Sequence, residues 1–80
     1  MTAKDAVAAR FLDLCSERNI KLNELANTSG VTPSTVYSIM DERRRNISIT
    51  TIKTLCDGLD ISLGAFFSAP VFDSLEQEIR

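Results

Sequence analysis

The chain has 80 residues, 44% of them hydrophobic, with a net charge of −2 and no histidine. One domain of this size lies near the lower limit at which a single core suffices without disulfides or metal, so association with a second copy would help it. No apolar run of about 18 residues is present to span a bilayer, and the start of the chain lacks a basic, apolar leader, so the expected location is cytoplasmic.

The side-chain inventory argues against catalysis. Without His the commonest general base is missing, the Ser and Thr residues have no evident activating partner, and Gly30, Gly58 and Gly64 form no phosphate loop. Cys15 and Cys56 each fall at apolar-periodic positions beside a leucine and read as small buried hydrophobes rather than as a disulfide or metal pair. The expectation is a non-enzymatic domain with no cofactor and no metal. The acidic balance counts against a nucleic-acid binder, but the charge is uneven: residues 57–80 carry −4 and residues 1–56 carry +2.

In chain order, Thr2 and Asp5 have the spacing of a capping box that opens helix one. Val7, Phe11, Leu14 and Cys15 then follow helical periodicity, with the stem of Arg18 along the apolar edge and Asn19 as a left-handed C-cap. A second helix runs from about Lys21 or Leu22 to Ser29, burying Leu25 and Ala26; Gly30 ends it, since a residue without Cβ takes the left-handed conformation readily. Thr32 is placed to cap a third helix, Pro33 to Met40, with proline at its first position, Val36 and Ile39 turned inward, and Ser34, Thr35, Tyr37 and Ser38 turned outward. The charged stretch 41–46 is a loop. Ser48 caps a fourth helix with an inner stripe of Ile49, Ile52, Leu55 and Cys56, closed by Gly58. Ser62 caps a short fifth helix ending at Phe67, and both Phe66 and Phe67 are expected to complete the core against helix one. Pro70 interrupts any continuation; beyond it Val71, Phe72, Leu75 and Ile79 form a narrow apolar stripe that either packs back on the domain or meets a second copy.

The stretch from Leu22 to Met40 resembles the helix-turn-helix of the Xre, or Cro/cI-like phage-repressor, family of bacterial regulators. The resemblance rests on Ala26, Gly30, Val31, Val36 and Ile39 at matching positions, and it extends from about Arg10 to Phe67, including the Ser62-Leu63 and Phe66-Phe67 ending. It implies an all-α, five-helix lambda-repressor-like DNA-binding domain over residues 1–80, with a core of about 3–67 and a short C-terminal extension, 68–80.

The resemblance further implies a sequence-specific regulator of double-stranded DNA, repression of transcription, and action as a homodimer on an inverted repeat, with no membrane role and no small-molecule ligand. By position, Pro33, Ser34, Thr35 and Ser38 become base-edge candidates. Lys21, Thr32, Tyr37, Arg43, Arg44, Arg45 and Asn46 become candidates for the DNA backbone. Short hydroxyl side chains read a base less firmly than a bidentate Arg or Gln, so modest direct readout is expected. The start of helix two departs from the family: Lys21-Leu22 stands where Ser or Thr followed by Gln is usual, so either Lys21 replaces the phosphate-gripping amide as a point charge or it is a solvated lysine and that contact is missing. Asp41 and Glu42 either orient the arginines or restrain indiscriminate binding. The alternative reading is a protein-interaction module, an antitoxin or anti-repressor that keeps the fold with weak or no DNA binding.

Overall fold

The computed structural model describes residues 1–44, 46–75 and 77. They form five α-helices: α1 (Ala3–Arg18), α2 (Leu22–Ser29), α3 (Pro33–Met40), α4 (Ile49–Gly58) and α5 (Leu63–Phe67), followed by a 3-10 helix, Pro70–Ser74. This is the all-α architecture that the periodicity predicts.

Local chemistry accounts for most boundaries. Thr2 and Asp5 close the capping box of α1, each side chain accepting from the other's backbone N–H. That bond, with the Thr2 hydroxyl beside it, holds the Asp5 carboxyl below its ordinary range. Asn19 ends α1 at φ 55° and Gly30 ends α2 at φ 74°, both left-handed. Ser48 and Ser62 accept from the N–H groups of Thr51 and Ala65 at 3.0 Å. At the start of α2, Glu24 accepts from the Lys21 N–H, while the lysine side chain can return no such bond.

One end differs from expectation. Thr32 holds the N-cap position of α3 but makes no capping bond; its hydroxyl turns instead to those of Ser34 and Thr35, each 3.0 Å away. Gly58 closes α4, as expected, without itself turning left-handed. It is the last helical residue, Leu59 is the cap, and Asp60 takes the positive φ of 58°.

The core is built from Val7, Phe11, Leu14 and Cys15 of α1, Leu25 and Ala26 of α2, Val36 and Ile39 of α3, Ile52, Leu55 and Cys56 of α4, then Leu59 and Phe66. Both cysteines are free, and burial pushes both thiols up. Phe66 lies against Phe11 with ring centroids 4.6 Å apart, in the favourable range for tilted aromatic pairs. Phe67 is only partly covered: it packs on the edge of Phe66 and, 4.9 Å away, on Phe72 of the 3-10 helix. The segment after Pro70 thus lies over the aromatic end of the domain, in contact with α1; Ile79, the last residue of the apolar stripe, falls outside the described residues. Ile49, expected inside, is 57% exposed, because the first turn of α4 projects beyond the core.

Gly58 has a packing reason that periodicity does not show. A Cβ there would press on the Ser29 hydroxyl and lie 2.9 Å from Ser29 Cβ and 3.1 Å from its Cα, so α2 and α4 cross at a distance only glycine permits. Ser29 Oγ is itself buried without a hydrogen-bond partner among the described residues. Alanine ordinarily stabilises a helix interior by up to ~1 kcal/mol over glycine. Here Gly58→Ala is expected to destabilise by about 1–3 kcal/mol through overpacking, measured by urea or thermal unfolding. Ser29→Ala, which removes an unsatisfied hydroxyl, is expected to leave the melting temperature unchanged or raised.

Candidate nucleic-acid interface

The helix pair α2–α3 is held as a unit by its apolar side and by one bond on its outer side. Leu25 and Ala26 of α2 meet Val36 and Ile39 of α3 in the core, and Ala26 has no bulk to hold the helices apart. Outside, the Tyr37 hydroxyl donates to Asn23 Oδ1 at 3.0 Å. Tyr37 remains 50% exposed, so the ring that locks the two helices also lies at the surface.

The start of α3 presents a row of hydroxyls. Pro33 and Ser34 are exposed at its first turn, and Thr35 is half-buried. The Thr32 hydroxyl bridges those of Ser34 and Thr35, while Ser38 Oγ donates back to the Ser34 carbonyl at 2.9 Å. Ser38 therefore offers an outside partner mainly its acceptor lone pairs; the Thr32 hydroxyl has one hydrogen for two contacts, so at least one of Ser34 and Thr35 donates to it.

Beside this row the chain turns at Asp41, the C-cap of α3. One carboxylate oxygen of Asp41 accepts from the backbone N–H of Arg43 at 3.0 Å and from its Nε at 3.1 Å, and the other accepts from an Arg43 terminal nitrogen at 3.1 Å. The Arg43 guanidinium and N–H hold the Asp41 carboxyl down at about 2. The Asp41 carbonyl accepts from the Arg44 N–H at 3.0 Å, closing a tight turn over 41–44. Arg43 thus leaves the turn already paired, whereas Arg44 is exposed with no side-chain partner among the described residues. Arg45 lies outside the described residues.

The predicted residues converge in part. Thr35 and Ser38 of α3, Arg44 and Asn46 of the loop, and Ser48 and Thr51 of α4 line a shallow depression of about 230 Å³. Tyr37, Arg44 and Asn46 also border a larger cleft of about 1030 Å³ between α3 and α1. Lys21 stands apart at the exposed start of α2. Three neighbours of this face were not legible as such: Asn23, which holds Tyr37; Ser48, which read from sequence only as a cap; and Thr51, which carried no sequence signal.

The fate of the other cations is as informative. Lys4 is buried, its ammonium on the Asp41 carbonyl. Arg10 donates to the carbonyls of Phe66 and Ala65, Arg18 to that of Leu59, and Lys53 pairs with Asp57. Lys21 and Arg44 are the exposed cations left without a side-chain partner among the described residues. No helix among those residues is long and apolar enough to cross a membrane.

Residues 10–70 match the family profile of the Cro/C1-type HTH DNA-binding domain. A comparison with curated proteins gave no match. Among solved structures the chain is similar to the crystal structure of the prophage Lp1 protein 11, at 29% identity and a TM-score of 0.83, with 94% of this chain and 99% of that one covered.

Protonating Asp41 should release Arg43. The carboxyl is depressed in the folded chain, so its hold on the turn is complete above the ordinary carboxylate range near pH 4 and is lost as pH falls through about 2. A carboxyl-carbon NMR titration of Asp41 is expected to show a midpoint near 2 that returns toward the ordinary range in Arg43→Ala.

Proposed function

We propose, since this chain belongs to the Cro/C1-type helix-turn-helix family of DNA-binding domains, that it is a sequence-specific repressor of transcription acting as a homodimer in the bacterial cytoplasm. Each copy places α3 in a major groove of double-stranded DNA, and two copies read an inverted repeat whose half-sites lie about one helical turn, roughly 34 Å, apart.

The observation that carries this reading is the exposed hydroxyl row on the first turns of α3, flanked by Arg44 and Asn46 across one shallow depression. Pro33, Ser34, Thr35 and Ser38 face base edges. Lys21, Thr32, Tyr37, Arg44 and Asn46 contact the DNA backbone, as does Arg43, which must share itself with Asp41; Arg45 is assigned the same role from its place in the sequence. Hydroxyls give permissive readout, so DNA shape supplies part of the specificity. The likeness to a prophage protein supports a phage-lineage setting.

The inward-turned cations favour one second reading, in which the same fold serves as the DNA-binding half of a toxin–antitoxin pair or as an anti-repressor and binds a protein. A selection from a random DNA pool at about 100 mM salt separates the two. The repressor reading expects an enriched inverted repeat, weakened by the double change Ser34→Ala, Thr35→Ala. Arg44→Ala should weaken binding to every duplex and lower the salt slope by about one, with Arg43→Ala doing less because its guanidinium is already paired. A pool in which nothing is enriched, together with a stoichiometric protein partner on purification, would overturn it.

A further inference from the structure

Lys4 is an anomaly for its position. It sits in the first turn of α1, where the helix dipole disfavours a cation, and it is 7% exposed, although lysine is almost never buried without a partner. Neither the stability of its own helix nor contact with DNA explains a charge held there. Its partner does: Nζ lies 2.5 Å from the carbonyl oxygen of Asp41, 37 residues further on.

That carbonyl belongs to the hub of the recognition loop. Asp41 caps α3, donating its own N–H to the Ser38 carbonyl. Its carbonyl takes the Arg44 N–H alongside the Lys4 ammonium, and its carboxylate takes three donors of Arg43. The carbonyls at a helix C-terminus have no intrahelical partner and carry the negative end of the dipole, so a cation there both satisfies and orients the end. The first turn of α1 is in this way tied, through one atom, to the turn that presents both arginines.

We propose that Lys4 is a positioning residue for DNA recognition. Its ammonium fixes the turn 41–44 relative to α3, so that Arg44 reaches a phosphate only when the hydroxyls of α3 stand opposite the right bases. Without that clamp the arginine still finds phosphate, but no longer in register with the base edges. The inference rests on the DNA-binding reading above.

The test compares the full chain with Lys4→Met, which keeps the apolar stem and loses the ammonium, and with Lys4→Arg, which restores a cation. Each is titrated with the duplex enriched from the random pool and with a mixed-sequence duplex of equal length, well below the melting temperature of every variant. Lys4→Met is expected to lower the ratio of the two affinities by about tenfold while changing mixed-sequence binding by less than about twofold, and Lys4→Arg to recover most of the ratio. A simple loss of folded protein scales both affinities alike and leaves the ratio fixed. An unchanged ratio therefore overturns the inference alone. No preference by the unaltered chain overturns the repressor reading, and this inference with it. Should Lys4→Met fail to fold, Lys4→Gln is read by the same ratio.

Discussion

Helix α1 holds the ends of the other helices. Its three cations, Lys4, Arg10 and Arg18, donate respectively to the Asp41 carbonyl at the end of α3, to the Ala65 and Phe66 carbonyls at the end of α5, and to the Leu59 carbonyl at the end of α4. Each meets carbonyls without an i+4 helical partner, and the negative pole, at a helix C-terminus. The helices so held have only eight, five and ten residues, lengths at which an isolated helix is marginal in water. A 16-residue rod about 24 Å long, with cations near its start, middle and end, supplies fixed points that short helices lack. Arg10 also lies over the Phe66 ring at 5.9 Å, joining this electrostatic frame to the aromatic core.

The candidate interface inherits its geometry from that frame and from two close fits. The α2–α4 crossing at Ser29 and Gly58 fixes one side of the helix-turn-helix, and Lys4 fixes the far end of α3. Between them the Tyr37–Asn23 bond prevents α3 from rolling on α2. Helix α3 is thus restrained at its C-terminal end by Lys4 and at its middle by Tyr37, while its hydroxyl face is left open. Pre-positioning of this kind matters most for short polar side chains, which cannot reach to correct a misplaced backbone.

The sequence was most informative where the controlling chemistry is local. Caps at Thr2, Ser48 and Ser62 and left-handed ends at Asn19 and Gly30 depend on residues within one helical turn, and the matching positions Ala26, Gly30, Val31, Val36 and Ile39 gave the helix pair and its family. Where the partner is distant, spacing carries no such signal: the bonds of Lys4, Arg18 and Arg10 span 37, 41 and about 55 residues. Read locally these are surface charges; folded, they are structural. The close crossing at Gly58 was hidden for a related reason, since a glycine at a helix end is accounted for by the helix stop alone, and only the neighbouring helix shows the second constraint. In the candidate site, the outward face of α3 was legible from periodicity, but not the difference between Arg43 and Arg44, which is set by the turn that places Asp41 under one and not the other.

The charge balance of the chain also bears on how the molecule would meet a polyanion. The three α1 cations rest on neutral carbonyls and keep their charge, yet acidic residues outnumber basic ones by 11 to 9, so the net charge sensed beyond a Debye length of roughly 8–10 Å is negative. Attraction begins only at contact, through the few cations left at the face. An encounter without long-range steering runs at rates on the order of 10⁵–10⁶ M⁻¹s⁻¹ rather than the steered values a basic protein reaches, so for a chain of this charge the lifetime of a complex, more than its rate of formation, would set its affinity.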